Sequence, residues 1–75
     1  MSTIGDRIKQ ARESAGLTQQ QLADAIGIPS YGRQRVNHWE SGARAPGRAY
    51  LAKIAEALDK HPAWIEFGDG LPKVD

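Results

Sequence analysis

Ile4, Ile8, Ala11 and Ala15 recur at i, i+4, i+7 and i+11, the spacing of one face of an α-helix. Gly16 predicts the stop of that helix, because a residue tolerant of the left-handed conformation commonly follows a helix end. The next segment, TQQQLADAIG, opens with a capping-box pattern. Thr18 can accept from the amide of Gln21, and Gln21 can reach back to the amide of Thr18. Leu17 precedes that cap and Leu22 falls at the fourth helical position, the placing of a hydrophobic staple. Leu22, Ala23 and Ile26 form the buried face of this short second helix, and Gly27 ends it.

Val36 and Trp39, three apart, mark the inner face of a third helix. Gly42, Pro46 and Gly47 make the following loop. Leu51, Ile54, Ala55 and Leu58 give a fourth amphipathic helix from about Gly47 to Leu58. Pro62 suits the first turn of a fifth helix, which would bury Trp64 and Ile65 and end by Gly68. The pattern shows no alternation of the kind a strand needs and no internal repeat. The fold class expected is all-α, five short helices around one core over residues 1–68, with 69–75 a tail or linker.

Length and composition narrow the picture further. A chain of 75 residues holds one small core, and 40 % hydrophobic with 25 % charged residues is the balance of a globular domain. With no cysteine, neither a disulfide nor a cysteine-held metal can support the fold. His38 and His61 lack the paired spacing of zinc sites, so no metal and no cofactor is expected. No apolar run approaches the roughly 20 residues of a membrane span. The opening MSTIGDRIKQ lacks the apolar stretch of a signal peptide, so the expected location is the cytoplasm, away from any membrane. There is no nucleophile elbow, phosphate-binding glycine loop or metal spacing, and the chain is not expected to be an enzyme.

The formal net charge is only +1, but its distribution is uneven. Residues 30–48 carry Arg33, Arg35, Arg44 and Arg48 against Glu40, a net +3. Arginine suits bidentate contact with phosphate or a guanine edge. On a wheel centred between Val36 and Trp39, Gln34, Asn37, His38 and Ser41 point away from the core, with Arg33 and Arg35 on the flanks. A merely solvated face would more often be Glu and Lys. Asn and Gln can make paired bonds to adenine, and Arg to guanine, in a groove wide enough for a helix. The second helix, the Gly27 turn and the third helix together have the form of a helix-turn-helix unit.

From about Ile4 to Gly68 the chain resembles a lambda-repressor/Cro-type helix-turn-helix domain. The residues that carry the resemblance are GLTQQQLADAIGI, VNHWESG and ALDKHPAWIEFGDG. It implies a compact five-helix domain that binds double-stranded operator DNA as a transcriptional regulator, usually as a homodimer. Position by position, it implies base contacts for Arg33, Gln34, Asn37 and His38. It implies phosphate contact for Gln19 at the start of the second helix, and for Ser41, Arg44 and Arg48 after the recognition helix. Arg35, on the flank, is a further phosphate candidate. Arg12 and Glu40 match a pair that forms a salt bridge between the first and third helices in some relatives. The dimer surface expected is the fifth helix and tail, with Phe67, Leu71 and Val74 as its apolar residues.

One stretch departs from that pattern. The distance from Gly27 to Trp39 exceeds the family's usual spacing, with the surplus inside PSYGRQR. Either the turn is enlarged and Gly32 starts the helix, or Ser30 caps a helix about one turn longer. A glycine inside the extra turn would cost about 1 kcal/mol, which favours the enlarged turn. Tyr31, left in the insertion, has two readings, phosphate contact or packing. A second functional reading keeps the fold and changes the partner: some relatives are antitoxins or adaptors whose main contact is another protein.

Overall fold

A computed structural model describes residues 3–68 of the chain; the expected tail at 69–75, with Leu71 and Val74, lies outside the described residues. Five α-helices follow one another: α1 (Ile4–Ser14), α2 (Gln19–Ile26), α3 (Gly32–Ser41), α4 (Arg48–Ala57) and α5 (Pro62–Phe67). The described residues contain no strand.

Local chemistry sets most of the helix starts. The capping box at α2 forms as its sequence dictates: Thr18 Oγ1 accepts from the amide of Gln21 at 3.0 Å, and Gln21 Oε1 accepts from the amide of Thr18 at 2.8 Å. An equivalent box opens α1, where Thr3 Oγ1 accepts from Asp6 N at 3.1 Å and Asp6 Oδ2 accepts from Thr3 N at 3.2 Å. Each box satisfies amides that the first helical turn leaves without intrahelical partners. At α5, Pro62 occupies the first turn and His61 Nδ1 accepts from Ala63 N at 3.1 Å.

Each helix sends one fully buried aliphatic side chain to the centre: Ile8, Leu22, Val36, Ile54 and Ile65. Ala11, Ala23, Ile26, Trp39, Leu51, Ala55 and Leu58 complete the core around them. Helix α3 packs on α1 and α2, α4 on α2 and α5, and α5 returns to α1. That last contact is polar. Arg7, buried on α1, donates from Nε to Ile65 O at 2.7 Å and from Nη2 to Glu66 O at 2.6 Å, satisfying carbonyls at the end of α5.

One residue on the α1 period lies outside the core, and one core expectation is corrected. Ala15 continues the period of α1 but is exposed, because it is the C-cap and the chain reverses at Gly16. Trp64 is only half-buried, while its neighbour Ile65 is fully buried. Successive helical residues point about 100° apart, and on this helix Ile65 takes the inward position. The Trp64 ring instead lies under Lys60, whose ammonium is 5.0 Å from the ring centroid.

Candidate nucleic-acid interface

The enlarged turn before α3 is the form the structure adopts, with Gly32 as the first residue of the helix. Gly32 is there for clearance. A Cβ built on it would lie 2.6 Å from the Cβ of Ala23, so a larger residue would push the start of α3 away from α2. Tyr31, just before it, takes the left-handed conformation with φ 56° and ψ 30° and gives no side-chain cap.

Helix α3 divides into two faces. Gly32, Val36, Trp39 and Glu40 are buried; Arg33, Gln34, Arg35, Asn37 and Ser41 are exposed, and His38 is half-buried. The inner face is held by charge as well as packing. Glu40 receives both Arg12 Nε at 2.6 Å on Oε2 and Arg12 Nη2 at 3.0 Å on Oε1, a bidentate ion pair between α1 and α3. Arg12 Nη1 also donates to Leu17 O at 2.7 Å. The hydrogen bond and charge of Glu40 raise the Arg12 pKa above its ordinary value, against the opposing effect of burial.

The buried pair connects to the outer face through one side chain. Gln19 Nε2, at the start of α2, donates to Glu40 Oε1 at 3.1 Å and to Asn37 Oδ1 at 3.3 Å. Gln19 and Asn37, with Arg33 and Gln34, line an open cleft of about 670 Å³ between α2 and the start of α3. Tyr31 and Asp24 line the same cleft.

The other expected contact residues lie on the far flank. Arg35, His38 and Arg44 share a smaller recess with Trp39, Gly47 and Tyr50. Arg35 Nη1 donates to Tyr50 Oη at 3.2 Å, and its guanidinium carbon lies 5.9 Å from the Tyr50 ring centroid. The Tyr50 ring in turn is tilted against Trp39 at a centroid distance of 5.5 Å. Two guanidinium groups and an imidazole thus line one recess beside α3. Ser41 Oγ donates to His38 O at 3.2 Å and accepts from Ala43 N at 3.4 Å, so this hydroxyl also shapes the turn after α3. Arg44 and Arg48 are exposed, Arg48 at the first position of α4. Among the described residues no group of three His, Asp or Glu is placed to hold a metal ion.

Sequence reasoning did not find Tyr50 or Arg7. The signal for Tyr50 was an aromatic residue next to the apolar stripe of α4, unaccounted for by that stripe. Nothing local marked Arg7, whose carbonyl partners on α5 are 58 and 59 positions away.

A five-helix domain in which a short helix, a turn and a second helix project a polar face is a helix-turn-helix protein of the lambda-repressor-like class. The chain belongs to the helix-turn-helix family, whose model matches residues 8–65. It is 39 % identical over 70 residues to an HTH-type transcriptional regulator for conjugative element R391 from Providencia rettgeri, covering 93 % of this chain and 31 % of that protein. It is 36 % identical over 59 residues to the type II methyltransferase M.SsoII of Shigella sonnei, covering 79 % of this chain and only 16 % of that enzyme. The chain therefore corresponds to under a third of the length of either relative. In fold it is similar to the P22 c2 repressor protein, solved in complex with synthetic operator 9T. That match has a TM-score of 0.84 at 23 % identity and covers 92 % of this chain and all of that one. No helix among the described residues is long and apolar enough to cross a membrane.

Proposed function

We propose that this chain is a sequence-specific DNA-binding transcriptional regulator, repressor-like, that places α3 in the major groove of an operator. The observation that carries the reading is the junction of Gln19, Asn37 and Glu40. It fixes a residue suited to phosphate and a residue suited to a base edge in one rigid frame, anchored on a buried ion pair. Arg33, Gln34, Asn37 and His38 read bases. Gln19, Arg35, Ser41, Arg44 and Arg48 meet the phosphates. Phosphate contacts set the register and most of the affinity, while base contacts set the sequence.

A single module of this size buries little surface, so tight specific binding calls for a homodimer on a two-fold related site. Phe67, 62 % exposed on α5, is the described apolar residue available for that contact. The chain is a binding module rather than an enzyme, acting in the cytoplasm, where a regulator meets its operator. Residues 1–68 form the binding domain and 69–75 its tail or linker.

The test is selection of bound duplexes from random DNA, followed by affinity for the enriched sequence at two salt concentrations. The expected result is an inverted repeat with half-sites about one helical turn apart. Three arginine–phosphate contacts per protomer predict a slope of log K against log salt of about −5 for a dimer. No enrichment, with weak and salt-insensitive binding, would discard the reading and favour a protein partner, as in an antitoxin or adaptor.

A further inference from the structure

Tyr31 carries a large side chain that is mostly exposed. The residue is 77 % exposed, and among the described residues its side chain has no hydrogen-bond or ring partner. Its backbone lies in the left-handed region, where glycine or asparagine is accommodated more easily than an aromatic residue. The glycine of this turn stands one position later, where clearance against Ala23 requires it. An exposed aromatic group held in a disfavoured backbone, with no hydrogen-bond or ring partner inside the fold, is suited to a contact outside it.

Its position says which contact. Tyr31 immediately precedes α3 and lines the same cleft as Gln19, Gln34 and Asn37. Asp24 and Arg33 line that cleft too, the Asp24 carboxylate accepting from Gln20 Nε2 at 2.9 Å; their opposite charges offset, so the cleft as a whole does not single out a phosphate. An apolar ring standing beside the amides of Gln19, Gln34 and Asn37 matches the apolar feature of the major-groove floor, the C5 methyl of thymine.

We propose that Tyr31 is a specificity-determining residue whose ring packs on a thymine methyl at the edge of the sequence read by α3. This rests on the DNA-binding reading above. The probe is the duplex enriched by the wild-type protein from random DNA, together with copies in which each thymine in turn is replaced by uracil. Tyr31→Asn, which tolerates the left-handed backbone, should keep or raise the melting temperature, bind about tenfold more weakly and lose preference at one base pair. Tyr31→Phe, which keeps the ring, should bind like the wild type. Uracil at one thymine should weaken the wild type and Tyr31→Phe but leave Tyr31→Asn unchanged.

Full affinity and preference in Tyr31→Asn would overturn the assignment while leaving the DNA-binding reading intact. A Tyr31→Phe protein as weak as Tyr31→Asn would put the hydroxyl on a phosphate and overturn the methyl contact. If Tyr31→Asn fails to fold, the uracil scan on the wild type decides: insensitivity at every thymine overturns the contact. If the wild type enriches no sequence, the DNA-binding reading falls and this assignment falls with it.

Discussion

Gln19 Nε2 lies 3.3 Å from Asn37 Oδ1, so the first residue of α2 and the outward face of α3 share a hydrogen bond. The same nitrogen reaches Glu40 Oε1 at 3.1 Å. Gln19 therefore sets the orientation of Asn37 while it is itself oriented from within the core. Energetic coupling between the two positions follows. Asn37→Ala should weaken binding to the enriched operator by about 1–3 kcal/mol and relax preference at one or two base pairs. Gln19→Ala should weaken binding to all duplexes, and the double variant should depart from additivity by at least about 0.5 kcal/mol. A double-mutant cycle measured by binding checks this. Strict additivity would mean that Gln19 does not position Asn37 on DNA.

The Arg12–Glu40 pair stabilises the fold only as a pair. Removing one partner strands the other charge in a largely buried position, at a cost of up to about 3–5 kcal/mol. That is a large share of the roughly 5–15 kcal/mol total of a small domain. Arg12→Met should therefore lower the urea midpoint sharply, while Arg12→Met with Glu40→Leu should recover much of the loss. Glu40 raises the Arg12 pKa, and a cation raised in the folded state contributes below its unfolded value and loses that contribution only as pH rises through the folded one. From the Arg12 side, stability should be flat across neutral pH and fall only in strong alkali, as pH-dependent melting would show.

How far the chain could be read without its structure depends on the range of each interaction. The capping box at Thr18 and Gln21 is a local pattern, and it was legible because both partners lie within one turn. Gly32 as the start of α3 was legible for a related reason, helix propensity against a glycine inside the helix. The real cause is nevertheless tertiary, the clearance to Ala23. Ala15 fits the period yet faces water, since a stripe does not reveal where the chain turns away from the core. The clasp of Arg7 on α5 and the Arg35–Tyr50–Trp39 stack join residues that only the folded chain brings together. At the interface, residue types and helical spacing picked out the outward face of α3. They gave no sign that Gln19 and Asn37 lie on one cleft while Arg35, His38 and Arg44 share another.

That separation of the two flanks gives a prediction about salt. Arg44 and Arg48 are exposed beside α3 and α4 and, as phosphate contacts, should act on every sequence alike. Arg44→Ala or Arg48→Ala should reduce the salt slope by about one unit each without altering the preferred sequence. Tyr50→Phe, which removes the acceptor of the Arg35 bond, should leave the slope near its wild-type value and weaken binding modestly. Titrations at several salt concentrations separate these cases. An unchanged slope in Arg44→Ala and Arg48→Ala would remove both from the phosphate contacts.

Gly32→Ala sets two effects of opposite sign against each other. Intrinsic propensity favours alanine over glycine by about 1 kcal/mol in a helix interior and by less at a first helical position such as Gly32. Clearance opposes it, because the added Cβ would lie 2.6 Å from the Ala23 Cβ, well inside the ~3.5–4.0 Å at which carbon atoms pack favourably. Ala23 is buried and has no flexible end to move aside, so the backbones of α2 and α3 must separate. Overpacking of this kind typically costs about 1–3 kcal/mol. Clearance therefore wins, and Gly32→Ala should lower the urea midpoint although it improves helix propensity. The same displacement would shift Arg33 and Gln34 relative to Gln19, so operator binding should fall by more than the lost stability explains at saturating folded protein. Ala23→Gly in the same chain removes the opposing methyl and should restore part of both losses. A Gly32→Ala domain more stable than the wild type would show that the turn, rather than the contact with Ala23, sets the position of α3.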